Sequence, residues 1–163
     1  MSRRDFLLLM AACGVGSAMT LMAPRYATGE TRKEEKVSKT DAEWQKILTP
    51  QQYKILRREG TEPPFSSHLN DEHRAGTFIC AGCEAPLFSS ASKFDSGTGW
   101  PSFFATIPER VATKTDFHLI YPRTEYHCAR CGGHQGHVFN DGPQPTGKRY
   151  CNNGLALKFV PEA

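Results

Sequence analysis

Four cysteines in two C-x-x-C pairs, Cys80-Ala81-Gly82-Cys83 and Cys128-Ala129-Arg130-Cys131, are the first residues whose spacing implies chemistry. A two-residue gap lets one tight turn aim both sulfurs at a single ion, and two such turns complete a tetrahedral S4 site for Zn²⁺. Gly82 and Gly132-Gly133 supply freedom for the turns. Four thiolates close the coordination shell, so the expected metal stabilises rather than catalyses. The competing reading of the same pairs is disulfides or a redox-active pair.

A fifth cysteine, Cys151, stands alone in "GKRYCNNG". The surrounding "RYCNNGLALKF" alternates as a strand does, which places Arg149, Cys151, Asn153, Leu155, Leu157 and Phe159 on one face. A guanidinium, a thiol and an amide then line up where the apolar face begins. A cation beside a thiol lowers its pKa and favours the thiolate, the reactive form. The alternative is a buried structural cysteine, which the flanking Arg, Tyr and two Asn disfavour.

Upstream, His134 and His137 sit on glycine-rich backbone in "CGGHQGHVFNDG". As a strand, "HVFND" puts His137, Phe139 and Asp141 on one side. Histidine is the side chain best suited to give up a proton near neutral pH. Trp100 lies between the flexible Gly97-Thr98-Gly99 and Pro101, placed either as the wall of a site or as core filler. His127 is a weak further candidate for a metal ligand.

These residues must be positioned by the elements between them. "DAEWQKIL" and "TPQQYKILRREG" read as two short helices, with Asp41 and Thr49 as caps, Pro50 in a first turn and Gly60 as terminator. Trp44, Ile47 and Leu48 share a face of the first, and Tyr53 and Leu56 of the second. After a proline-containing loop come short β-like runs, "GTFIC", "APLF", "FHLIYPR", "EYHCARC", "HVFND" and "RYCNNGLALKF". The natural summary is a mainly β domain with short helices at its N-terminal end.

Length and charge bound the rest. A chain of 163 residues with 23% charged and 10% aromatic residues has one domain's worth of core. Outside residues 1–29 the chain carries 17 basic and 16 acidic residues. No basic stripe emerges, which argues against nucleic acid as a partner. "SRRDFLLLMAACGVGSAMTLMA" places paired arginines before an apolar run, the pattern of a twin-arginine signal spanning residues 1–29. The alternative readings are an ordinary Sec signal or a membrane anchor, and Cys13 offers a less favoured one, lipid attachment. Residues 30–40 are charged and unpatterned and read as a flexible lead-in to a domain over 41–163.

Taken together, "SGTGWPSF", the two C-x-x-C pairs, "GHQGHVFNDGPQPTGKRYCNNGLALKF" and "LTPQQYKILRREGTEPPFS" resemble the B-type methionine sulfoxide reductases, which act on the R-epimer. The resemblance runs from about Trp44 to Phe159. It implies two antiparallel sheets and a structural zinc held by Cys80, Cys83, Cys128 and Cys131, away from the chemistry. Cys151 falls on the catalytic cysteine, His137 on the histidine that acts as acid, and His134 on a second site histidine. Trp100 falls on the indole that packs against the substrate methyl group. Phe139, Asp141, Arg149 and Asn153 match positions around the pocket.

Thr98 departs from the family. Many members carry there a cysteine that resolves the oxidised nucleophile as an intramolecular disulfide. Its replacement implies regeneration by an external thiol or a thioredoxin-like partner. The expectation is therefore an exported, periplasmic, monomeric enzyme acting on methionine sulfoxide in oxidised proteins and delivered by twin-arginine machinery. Two other classes stay open on residue types alone. Cys151, His137 and Asn153 could form a cysteine hydrolase, or the chain could be a zinc-bearing binding module with an inert Cys151.

Overall fold

The stretch read as one strand from Arg149 to Phe159 is two strands in different sheets, and the break between them organises the domain. The computed structural model describes residues 35–117 and 121–163. The expected signal segment, with Cys13, and the first part of the lead-in lie outside the described residues. Among the described residues no helix is long and apolar enough to cross a membrane.

Two short helices open the domain, α1 (Asp41–Ile47) and α2 (Pro50–Arg58). Each begins in a capping box. Thr40 is satisfied reciprocally with Glu43, and Thr49 with Gln52. The first cap is thus Thr40 rather than Asp41, because its side chain accepts from the N–H three residues on. Pro50 takes the first helical turn as expected. The helix ends with Glu59 in the left-handed region at φ 53°, not with Gly60 itself. Trp44 and Leu48 are buried, whereas Ile47 is 56% exposed. The inward stripe of α1 follows the i, i+4 pair and leaves Ile47 on the rim.

Among the described residues nine strands follow, β1 (Gly76–Cys80), β2 (Pro86–Ser89), β3 (Lys93–Phe94), β4 (Ser102–Phe103), β5 (Val111–Asp116), β6 (Arg123–Cys128), β7 (His134–Phe139), β8 (Arg149–Asn152) and β9 (Leu157–Pro161). They form a three-stranded sheet in the order β2-β1-β9 and a six-stranded sheet in the order β3-β4-β8-β7-β6-β5. The pairings are antiparallel. The expected mainly β domain of two antiparallel sheets with short N-terminal helices is therefore the fold.

Between β8 and β9 a short 3₁₀ turn, Gly154–Ala156, carries the chain from one sheet to the other. The period-two face predicted from Arg149 onward stops there. Beyond it, Leu157 and Phe159 serve the smaller sheet. A second departure is β5. It is Val111–Asp116, of which residues 112–115 are exposed, and it precedes the run "FHLIYPR", whose residues 118–120 lie outside the described residues. It is an edge strand, needed on one side only, so its sequence lacks the apolar alternation of an interior strand.

Aromatic rings fill the space between the sheets. Phe88 and Phe103 stack at 4.1 Å, and Phe78 meets Phe103 edge-on at 4.9 Å. Tyr126 and Tyr150 complete the cluster at 5.3 Å. Phe103 is fully buried, so truncating it to alanine would cost about 3–5 kcal/mol. Alternation along the strands then fixes the other face of the large sheet. Where Phe103 and Tyr150 point inward, Ser102 and Cys151 point away.

The lead-in is docked at its C-terminal end, contrary to the expectation of a flexible stretch over 30–40. Val37 N–H donates to the Arg130 carbonyl at 2.9 Å, and Lys36 Nζ donates to the Ala129 carbonyl. Val37 also packs against the core, which supplies the apolar contact that charge patterning alone did not reveal.

Candidate functional site

The cross-strand register aligns one polar row across the large sheet. Ser102 on β4 pairs with Cys151 on β8, Cys151 with His137 on β7, His137 with Glu125 on β6, and Glu125 with Lys114 on β5. Directly paired residues of antiparallel strands share a face with their Cβ atoms about 4.5–5.5 Å apart. The thiol and the imidazole are therefore neighbours by construction. Gly136 permits the close approach of β7 and β8, since a Cβ there would lie 1.9 Å from the Cys151 carbonyl oxygen.

A cleft of about 140 Å³ opens over this row, with Cys151, His137, Trp100, Phe139 and Asn153 among its lining. Thr61, Arg123, Gly136 and Asn152 complete it. Trp100 is the wall, not core filler. Its indole N–H donates to the Glu62 carbonyl at 3.1 Å, which fixes the ring across the cleft.

Asp116 holds the far side of His137, with Nε2 at 2.7 Å from its carboxylate. The carboxylate also pairs with Arg123 at 2.6 Å. An Nε2–H bonded to a carboxylate leaves Nδ1 as the acceptor of the neutral ring. Burial lowers the His137 pKa despite Asp116, which opposes the shift. Burial likewise raises the Cys151 pKa. The Arg149 charge opposes it most strongly, followed by a hydrogen bond from the Thr98 hydroxyl. The expected influence of Arg149 is present, yet desolvation outweighs it, so the resting pair is a thiol beside a neutral imidazole.

Arg149 is aimed by its own partners. Asp141 receives its Nε at 2.9 Å and its Nη2 at 2.8 Å, and the guanidinium lies 4.3 Å from the centre of the Phe139 ring. Asp141 is mostly exposed and lies outside the cleft, so its contact with the site is through Arg149. His134 is also outside the lining and only 3% exposed. Its ring meets that of His137 at 5.6 Å, and its Nδ1 lies 2.9 Å from Glu125, which pairs with Lys114 at 3.0 Å.

Asn153 lies at the cleft with its amide already engaged. Its Nδ2 donates to the Gln135 carbonyl at 3.0 Å and its Oδ1 accepts from Glu62 N–H at 3.1 Å. One Nδ2 hydrogen remains for a bound molecule. Its bonds run to main chain and not to an imidazole, so the Cys-His-Asn arrangement of a cysteine hydrolase is not assembled. The residue that orients the histidine is Asp116.

Four residues of this framework escaped the sequence reading. Asp116 ends a polar edge strand, and Arg123 opens the next strand. Glu62 lies in a proline-rich loop, yet it is 4% exposed and its carboxylate accepts the N–H groups of Gly154 and Leu155 just beyond Cys151. Gln135 is fully buried between the two histidines. Its Nε2 donates to Cys80 Sγ at 3.5 Å, and its Oε1 accepts from Asn152 Nδ2 at 3.4 Å. No period or spacing marks these positions, because each acts through a loop or across the sheet.

Away from the cleft, Cys80, Cys83, Cys128 and Cys131 converge, with their sulfurs all within 4.8 Å of one another. Cys80 and Cys131 are 3.7 Å apart and Cys83 and Cys128 3.6 Å. These separations exceed a disulfide bond and match the edge of a tetrahedron of about 3.8 Å implied by metal–sulfur bonds of about 2.3 Å. The donor set therefore fits a tetrahedral metal. Trp44, Leu48 and Leu56 cover the cluster from the helices, and Arg57 Nη1 donates to the Cys131 carbonyl at 3.0 Å.

Comparison with known proteins places this arrangement in context. The profile of the SelR domain family matches residues 48–161. A peptide methionine sulfoxide reductase MsrB of Methanosarcina barkeri is 53% identical over 127 residues, 77% of this chain and 89% of that protein. The MsrB protein of Leifsonia xyli is 53% identical over 131 residues, 79% of this chain and 94% of that protein. That of Thiobacillus denitrificans is 53% identical over 125 residues, covering 76% and 95% respectively.

Proposed function

The chain belongs to the SelR domain family, and from that premise we propose that it reduces the R-epimer of methionine sulfoxide in oxidised proteins, with Cys151 as nucleophile. The observation that carries this reading is the pairing of Cys151 with His137 beneath the Trp100 and Phe139 walls.

A sulfoxide sulfur is electrophilic, but its oxygen leaves only when protonated. The resting thiol and imidazole already contain the proton that is needed. On substrate binding, the Cys151 proton passes to His137 Nδ1, and Asp116 stabilises the imidazolium. The thiolate attacks the sulfoxide sulfur while His137 returns the proton to the oxygen. Attack forms a bond between the Cys151 sulfur and the substrate sulfur, and the protonated oxygen leaves with the S–O pair as hydroxide. That hydroxide, or a water exchanged for it, adds to the Cys151 sulfur. The S–S bond breaks as it does so and returns its pair to the methionine sulfur, leaving methionine and a Cys151 sulfenic acid. Asn153 and water hold the oxygen. Trp100 and Phe139 receive the methyl group, an apolar and sulfur-compatible contact. Exchanging oxygen and lone pair would turn the oxygen away from His137, which gives the epimer preference.

Thr98 stands where many relatives of this type carry a resolving cysteine, and the other cysteines of the domain form the cluster. We therefore assign regeneration to two equivalents of an external thiol or a thioredoxin-like dithiol, which yield water and a disulfide on the donor. The metal is zinc, held by Cys80, Cys83, Cys128 and Cys131, and its role is to stabilise the fold. The twin-arginine pattern of the first residues supports export to the periplasm as a folded, metal-loaded monomer.

Thiol-dependent reduction of the separated epimers of a blocked methionine sulfoxide tests the reading. R-epimer turnover that disappears in Cys151→Ser supports it. Absence of turnover with any thiol donor, from metal-loaded protein, refutes it and favours a binding module.

A further inference from the structure

Among the described residues that line the cleft, only Arg123 carries a permanent charge. The proposed reaction gives it no task beyond its pairing with Asp116, and a methionine sulfoxide side chain offers it no anion. Its place follows from the strand register. Arg123 pairs with Asp116 across β5 and β6, and Phe139 pairs with Arg149 across β7 and β8. The Thr124–Val138 pair sets Arg123 beside Phe139 at the ends of their strands. Asp116, Arg123, Phe139 and Arg149 thus form a second row, two residues along from Lys114, Glu125, His137 and Cys151 and on the same face. Arg123 is the diagonal neighbour of His137, about 7–8 Å away and within reach of a long side chain.

The guanidinium is only partly spent. Asp116 accepts from Nη2 at 2.6 Å, Nε is buried without a partner, and Nη1 makes no hydrogen bond among the described residues. One oxygen of Asp116, Oδ2, serves both Arg123 Nη2 and His137 Nε2. The carboxylate therefore aims the guanidinium and the imidazole together. Its charge also offsets the cost of holding a cation whose side chain is only 25% exposed. What remains of Arg123 is a set of N–H donors held in place, with no capacity to accept.

A methionine sulfoxide residue in a polypeptide brings few acceptors to meet them. Its sulfoxide oxygen belongs beside His137 and the remaining Nδ2 hydrogen of Asn153, where the proposed proton transfer needs it. The next acceptor is the residue's own main-chain carbonyl oxygen, three carbons and a carbonyl carbon away from the sulfur. With the sulfur over Cys151, those bonds carry the carbonyl toward the second row. A cleft of about 140 Å³ has room for little more of the chain than this.

We propose that Arg123 is a specificity-determining residue that receives the main-chain carbonyl oxygen of the methionine sulfoxide residue, with Asp116 as the positioning residue that aims it. The assignment rests on the proposed reductase function and adds to it a contact that only a residue with its carbonyl can make. Such a bond is charge-assisted and stronger than one between neutral groups.

The test compares two substrates of R configuration at sulfur in metal-loaded protein. One is N-acetyl-methionine sulfoxide N-methylamide. The other is the N-acetyl derivative of methylsulfinylpropylamine, the same molecule without its carbonyl arm. In the wild-type protein the deletion should lower kcat/KM by about tenfold or more, chiefly through KM, the worth of one hydrogen bond to a charged group. Arg123→Gln should be slower with both substrates, because Asp116 and His137 lose a partner, yet should discriminate between them by less than about twofold. Arg123→Met, which keeps the stem, is the second variant and should behave in the same way. A wild-type protein indifferent to the carbonyl, or an equal penalty in wild type and variants, overturns the assignment and leaves the reductase reading standing. Absence of turnover with both substrates in the wild type refutes the reductase reading itself, and the assignment falls with it.

Discussion

His137 lies directly opposite Cys151 across the β7–β8 ladder, with its Nε2 secured at 2.7 Å by Asp116. This relationship gives each ring nitrogen a separate task. His137→Gln should lower kcat for sulfoxide reduction by about 10²–10⁴-fold, the usual contribution of a general acid. Asp116→Asn should produce a smaller loss, because an amide still aligns the ring but does not stabilise its charge. Cys151 alkylation at fixed pH should change only a few-fold in either variant. Equal losses of turnover and alkylation would mean that the histidine supports the fold and not the proton transfer.

The acidity of Cys151 gives a prediction with a definite sign. Burial raises its pKa above the ordinary thiol value, so the free enzyme at neutral pH carries mainly thiol. The alkylation rate should still be rising beyond pH 9. Arg149→Leu removes the largest opposing influence and should move the profile further to the alkaline side. A profile that flattens near pH 7 in the wild-type protein would contradict the dominance of burial.

Glu62 ties three parts of the site together. Its carboxylate holds Gly154 and Leu155, its N–H donates to Asn153, and its carbonyl receives the Trp100 indole. Glu62→Gln leaves one acceptor where two are needed. The expected cost is about 1–3 kcal/mol of stability, seen as a lower denaturant midpoint, with a loss of kcat/KM as the wall and the turn loosen. Unchanged stability and turnover would mean that the buried carboxylate holds neither the turn nor the wall in place.

Metal removal should act on the fold before the chemistry. The four sulfurs join β1, the turn after it, β6 and the turn before β7, and Gln135 links Cys80 to Asn152 beside Cys151. Purified protein should contain about one zinc per chain. Cys128→Ser or chelation should lower Tm by more than about 10 °C. A protein that is folded, active and free of metal as isolated would remove the metal from the account.

The pattern of what the sequence revealed follows from the kind of signal each feature leaves. The C-x-x-C pairs and the Cys151 motif are local, so their spacing could be read directly, and the structure brings Cys151, His137, Trp100, Phe139 and Asn153 to one cleft. The expected long strand failed at Asn153 because the alternation continues numerically while the chain turns through Gly154–Ala156 into the other sheet. Asp116 and Glu62 were invisible because their partners lie 21 and 92 residues away for His137 and Gly154. Thr40 and Thr49 show the same contrast on a smaller scale. Both are caps, but an aspartate following Thr40 offered an equally good capping residue at the wrong position.

The most direct test of the central claim is a single turnover with the R-epimer of a methionine sulfoxide peptide, without reductant, followed by intact-mass analysis. The account predicts one methionine formed per chain and a gain of one oxygen on Cys151, trapped by a sulfenic-acid reagent and absent in Cys151→Ser. Loss of two hydrogens without a gain of oxygen would reveal an intramolecular disulfide and contradict the role given to an external thiol. Methionine formation in Cys151→Ser would contradict Cys151 as the nucleophile.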